Sequence, residues 1–166
     1  MSHQPKNDLD INEIFENARK DTSLLSTIDI EELLRVVEQD KSEYLENKTI
    51  DDIIQENISE LKSIGLKSEN IRKTCEKLTG YRHVENLYDL HKGKHIRWIR
   101  KDDNDKKLTN GGIVMEIKFF DNGTHILCRN NQHRLFQIKF DNCILFQKMS
   151  VGEQLILMAY EHVKTM

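Results

Sequence analysis

A chain of 166 residues, 37% hydrophobic and 32% charged, has enough apolar side chains for a core, which argues against full disorder. No apolar run approaches the ~18 residues that span a bilayer, and the polar stretch from Met1 to Asp10 lacks the apolar core of a secretory signal. A soluble, intracellular protein with no membrane partner is expected, cytoplasmic or nuclear.

The net charge of −3 conceals a split. Residues 1–66 carry 7 basic and 16 acidic side chains, whereas residues 67–166 carry 18 and 12. The rear half can attract an anionic partner that the front half repels, or the two can neutralise each other or a second copy. Three widely spaced cysteines, Cys75, Cys128 and Cys143, match no metal-knuckle or thioredoxin spacing and cannot all pair. They read as small core hydrophobes in a reducing compartment.

In chain order, residues 1–10, with the sole proline Pro5, read as a flexible tail. Residues 11–90 read as an acidic-to-mixed helical region. Ile11, Ile14, Phe15 and Ala18 recur at helical spacing. Asp29 and Glu32 form a capping box, flanked by Ile28 and Leu33 at the staple positions. Thr49 opens a helix with Ile50, Ile53, Ile54, Ile58 and Leu61 on one face, and Gly65 closes it. Ser68 starts another, bearing Ile71, Cys75 and Leu78, which Gly80 stops. Val84, Leu87 and Tyr88 predict a further helical turn or two before Gly93.

Residues 91–166 read differently, as a small β-barrel with a C-terminal helix. His95–Arg100 predicts a strand, followed by a charged loop at 101–107 and Gly111-Gly112. The glycine pair suits a bulge or a close backbone approach and lacks the Lys-Ser/Thr of a phosphate-cradling loop. Ile113, Met115, Ile117 and Phe119 then alternate on one face of a strand, with Val114, Glu116 and Lys118 on the other. Asp121-Asn122-Gly123 signals a hairpin. Strands at 124–129, 134–140 and 143–147 follow, separated by turns at 130–132 and 141–142. Ser150 and Glu153 form a second capping box, opening a helix with Leu155, Ile156, Met158, Ala159 and Val163. The expected fold is α+β: a helical front, then a five-stranded antiparallel small barrel closed by a C-terminal helix.

Chemistry-bearing residues are sparse. His91 and His95 are four apart, but Gly93 intervenes and no motif places a third ligand, so no metal is expected. Asp102, Asp103 and Asp105 lack the glycine and distal glutamate of a calcium loop. With no nucleophile elbow either, the reading is of a non-enzyme without a cofactor. The run from His91 to Lys101 stands out. Lys92, Lys94, Arg97, Arg100 and Lys101 supply cations for phosphates, and Trp98 a ring for stacking on a base. Against this stands the ordinary fate of a sole tryptophan, which is to fill the core. Lys118, Arg129, Arg134, Lys139 and Lys148 are candidates to extend the basic surface.

The Lys-Gly-Lys-His-Ile-Arg-Trp-Ile run at 92–99, Gly111-Gly112 with its strand, and Ile144-Leu145-Phe146-Gln147-Lys148 together resemble the small barrels of the Src-homology and Tudor kind. The layout also looks like that of uncharacterised proteins of large nucleocytoplasmic DNA viruses. The resemblance implies a small-barrel fold and a viral setting, including packaging in a virion; it supplies no catalytic residues. The function expected is a non-catalytic binding module whose basic barrel contacts nucleic acid, mainly through phosphates. The alternative is a structural or assembly protein, with a protein partner or self-association engaged through the acidic helical half.

Overall fold

The computed structural model describes Leu45 and residues 47–165. The expected tail, the helix at 11–18 and the Asp29/Glu32 capping box lie outside the described residues. The chain divides into two compact units, one spanning Ile53–Lys148 and the other joining residues up to Asp52 with those from Met149 onward. No helix among the described residues is long and apolar enough to cross a membrane.

Helix α1 (Ile50–Ser63) begins where Thr49 and Asp52 satisfy each other. The Asp52 amide donates to Thr49 Oγ1 at 3.2 Å, and the Thr49 amide donates to Asp52 Oδ2 at 2.9 Å. It ends on Gly65, whose φ of 86° allows the Leu66 amide to reach Leu61 O at 3.3 Å and the Gly65 amide to reach Lys62 O at 3.0 Å. Helix α2 (Ser68–Lys77) follows, and Gly80 at φ 84° turns the chain out of it.

The expected α+β layout, helices first and a C-terminal helix last, is present, but the expected five-stranded small barrel is corrected in strand count and closure. Six strands form one open antiparallel sheet: β1 (Tyr81–Val84), β2 (His95–Arg100), β3 (Gly112–Phe120), β4 (Gly123–Arg129), β5 (Leu135–Lys139) and β6 (Cys143–Lys148), in the order β1-β6-β2-β3-β4-β5. Strand β1 occupies residues read as a helical extension. Val84, Leu87 and Tyr88 have helical spacing, but pairing with β6 holds Tyr81–Val84 extended, and only Leu87–Asp89 makes a 3-10 turn.

Although open, the sheet is strongly curled. Trp98 on β2 and Phe136 on β5 have ring centroids 5.4 Å apart, while three strand spacings would separate them by roughly 14 Å in a flat sheet. A single 3-10 turn, Phe140–Asn142, also carries the chain from edge strand β5 to inner strand β6. The concave side encloses Val84, Leu90, Ile96, Trp98, Val114, Ile126, Cys128, Ile138, Cys143 and Leu145. On the opposite side, Ile99, Ile144 and Phe146 pack with Leu108 and with Leu61, Ile71 and Leu78 from the helical segment. Both faces of β6 are therefore buried.

Local sequence signals explain the joints. Ala at position 111 would place its Cβ 1.9 Å from Ile96 O, and at 112 it would lie 2.7 Å from Arg129 O, so the glycine pair is a close backbone approach. The alternation predicted for β3 breaks at a register shift between Val114 and Glu116. Met115 is consequently exposed, while Val114 and Ile117 both face the concave core. The Asp121-Asn122 hairpin forms with Phe120 paired to Gly123, and the positive φ falls on Gly123 alone at 125°. At the next turn Asn130 Oδ1 accepts from the amides of Gln132 and Arg134, at 2.9 and 3.0 Å. The Ser150/Glu153 box opens helix α3 (Val151–Thr165), with the Glu153 amide 3.1 Å from Ser150 Oγ. Lys164 near the end of α3 donates to Asn47 O at 2.8 Å.

Edge strand β1 is covered by a side chain rather than a strand. Asn57 of α1, 3% exposed, accepts from the His83 amide through Oδ1 and donates from Nδ2 to Tyr81 O, both at 3.0 Å. The amide imitates a neighbouring strand and blunts an edge that would otherwise template pairing. Asn57→Ala leaves both backbone groups unsatisfied and is expected to cost about 1–3 kcal/mol in chemical denaturation. Asn57→Asp keeps the acceptor but loses the donor, so a midpoint equal to wild type for both variants would refute the role.

Candidate nucleic-acid interface

The structure separates the six residues expected to form the site. Trp98 is 3% exposed and packs in the concave core, so the expected stacking role is corrected: neither ring face is open to a base. Its Nε1 is buried without a hydrogen-bond partner among the described residues. Arg97 points to the other side of the sheet, where Nε donates to Thr109 O at 2.9 Å and Nη1 to Lys77 O at 3.2 Å. Lys77 ends α2, so the guanidinium sits at the negative end of that helix and joins it to β2. Lys101 donates to Asp141 O at 3.0 Å. Exposed Arg100 borders a cleft of about 620 Å³ with Asp102, Asp103 and Lys107, a mixed-charge setting. Lys92 and Lys94 precede β2 whereas Arg100 ends it and Lys101 follows it, roughly 20 Å away at the rise of a strand. The physical reason is alternation: a strand sends successive side chains to opposite faces and spreads its flanks, so a basic run in sequence need not be a basic patch.

Strand register gathers a different set. Lys118 on β3 lies directly opposite His125 on β4, and His125 directly opposite Lys139 on β5. Two residues nearer the hairpin tip on the same face comes Phe120, 51% exposed, whose ring meets that of His125 edge-on at 5.1 Å. The Phe120, Asp121, Asn122 and His125 side chains line a shallow cleft of about 460 Å³. In the other direction the same face carries Leu127 between Glu116 and Gln137, then Arg129 between Ile113 and Leu135. Lys118, Arg129 and Lys139 make no salt bridge with a described residue. All three are half-buried, so their stems lie on the sheet while the charged ends reach water.

At a Cα separation of roughly 10 Å, the Lys118 and Lys139 charges repel by only about 0.4 kcal/mol in water. That is small enough for the fold to carry, and an anion seated between them is attracted to both. Acidic groups are present but fewer: Glu116 on the face, Asp121 in the turn and Asp141 beyond β5. The unit Ile53–Lys148 holds 18 basic and 12 acidic side chains.

No family model, curated protein or solved structure matches the chain. Residues of this site are therefore assigned by geometry. Among the described residues no three His, Cys, Asp or Glu side chains gather in a way that could hold a metal ion. Burial and the neighbouring Cys143 push the Cys128 thiol up to about 12, and burial raises Cys143 as well, which leaves both as unreactive core thiols at neutral pH.

Two histidines beside the helices set the pH response of the unit. Burial holds His83 below its ordinary 6.5; Glu60, 3.8 Å away, with Glu85 and Glu56 pulls it back up, and Arg82 lowers it. Burial, Arg97 and Lys148 lower His95, whose Nδ1 is 2.8 Å from Tyr81 Oη. Because the folded pKa values lie below the unfolded one, the unfolded chain takes up protons first as pH falls through 6.5, and stability present above that pH is lost. Denaturation midpoints should be level from about pH 8 to 7 and fall towards about pH 5.5. His83→Gln should flatten that slope; a slope unchanged in both His83→Gln and His95→Gln would refute the assignment.

Proposed function

We propose that the protein is a non-catalytic nucleic-acid-binding module whose contact surface is the outer face of β3, β4 and β5. Phosphates are taken by Lys118, Lys139 and Arg129, with Arg134 at the loop beside them. The single observation that carries this reading is the cross-strand row Lys118–His125–Lys139, in which two cations unpaired among the described residues flank an imidazole on one exposed face. Two like charges on one row, separated only by His125 on β4, give nothing to folding, so their placement is better explained by a partner that supplies the anion. Lys92, Lys94, Arg100 and Lys101 act in this reading as a diffuse field that steers a polyanion rather than as contacts.

The likeness to Src-homology and Tudor barrels remains part of this proposal. Support comes from the meander β2-β3-β4-β5 and the short 3-10 turn that returns β6 onto β2. A second reading, a structural or assembly protein, including a virion component, is favoured by the exposed apolar side chains Phe119, Phe120 and Leu135, at 74%, 51% and 61%. In that reading the acidic front segment serves as the partner surface. Light scattering across salt separates the two: a salt-sensitive oligomer without nucleic-acid affinity favours assembly.

The phosphate reading is tested by titrating labelled oligonucleotides at several salt concentrations. Each phosphate neutralised contributes a slope of roughly −0.7 to −0.9 in log K against log salt. Lys118→Ala combined with Lys139→Ala should lower affinity and reduce the slope by about 1.5, whereas Lys92→Ala with Lys94→Ala should slow association with little change of slope. Undetectable binding of the wild-type chain at low salt would rule the reading out.

A further inference from the structure

We infer that the nucleic acid this face takes is single-stranded, with an unpaired base stacked on Phe120; this rests on the phosphate-binding reading just given and narrows it. Phe120 is half exposed at the end of β3, on the same side of the sheet as Lys118. Its cross-strand partner is Gly123, and the end of the Lys139 side chain lies over that glycine, with Lys139 Cε 2.9 Å and Asp141 Oδ2 3.8 Å from where a Cβ would stand. His125 braces it from one direction, edge-on at an interplanar angle of 85°. The ring is thus held in orientation while part of its surface stays open, and a shallow cleft lies beside it.

Held aromatics with an open face beside unpaired cations form a stacking platform next to a phosphate track. Within a duplex each base is already covered above and below by its neighbours, so only the two end pairs present an open face to the platform. An unpaired base offers a free π-face, and the chain that carries it can lay its phosphates along Lys118 and Lys139. Phe119 is even more exposed, but register puts it on the opposite side, paired with Thr124 and away from the cationic row. The platform is therefore Phe120, with Phe119 as its internal control.

The test compares, for the full chain at low salt, a labelled oligonucleotide with the same strand annealed to its complement, using fluorescence anisotropy. The single strand should bind roughly tenfold more tightly, in keeping with the worth of one stacked base. Phe120→Ala should erase that preference, leaving both forms bound alike, whereas Phe119→Ala should preserve it. Phe120→Trp should retain binding and report stacking as quenching of the added indole; Trp98 is buried and contributes a constant background. Equal affinity of wild type for the two forms, or a preference lost in Phe119→Ala and not in Phe120→Ala, overturns the inference. If both forms still bind and both weaken in the Lys118/Lys139 double variant, the phosphate reading survives that failure. Absence of binding to either form overturns both. Circular dichroism of each variant keeps loss of fold separate from loss of contact, and the exposure of both rings favours intact folding.

Discussion

Burial of β6 on both of its faces is the constraint on which the remaining structure depends. Cys143 and Leu145 project into the concave core with Trp98 and Ile126, while Ile144 and Phe146 project to the side covered by the helical segment. A strand that alternates between two cores reads as a continuous apolar run, and Cys143-Ile144-Leu145-Phe146 is such a run. β6 also pairs on both edges, with β1 and with β2. Loosening it would open both cores together and release Gln147, fully buried, whose Oε1 accepts from the His91 amide at 2.8 Å.

The curl of the sheet follows from the same arrangement. A three-residue turn ties β5 to β6, so the meander must wrap around the concave core for the chain to return. Wrapping places that core inside and leaves the opposite side of β3, β4 and β5 facing outward. The outward side mixes apolar residues (Ile113, Phe120, Leu127 and Leu135) with cations that are free of salt bridges with described residues. The β1 and β2 part of the same side is occupied by Leu61, Ile71 and Leu78, and there Arg97 is turned to backbone carbonyls. One sheet surface thus has a half packed against the helical residues and a half that carries the cationic row.

Much of the local structure was legible because short-range chemistry sets it. Thr49, Gly65, Gly80 and the Ser150/Glu153 box mark helix ends through hydrogen bonds spanning a few residues. The Asp121-Asn122-Gly123 signal marked the first hairpin, but counting outward from a three-residue turn would set Lys118 opposite Ile126; Gly123 instead pairs with Phe120, which puts Lys118 opposite His125. The pairing of His125 with Lys139 was less accessible, since it depends on the length of the loop that Asn130 folds. Strand β1 was missed because a four-residue edge strand has a weak periodic signal and is made by its partner. The facing of β3 was misread because a bulge at Met115 shifts the alternation by one, and a bulge leaves no mark in composition.

Taken by itself, the sequence determined the α+β character, the turn and cap positions, the glycine pair at the close approach, and the excess of positive charge in the rear half. Each is a property of a residue and its near neighbours. Only the tertiary structure decided that the sheet is six-stranded and open, that Trp98 is core, and that the basic run of β2 is split between two faces and two ends. Those outcomes depend on which strands meet and how far the sheet curls. Both are fixed by contacts between residues distant along the chain, and no local pattern encodes them.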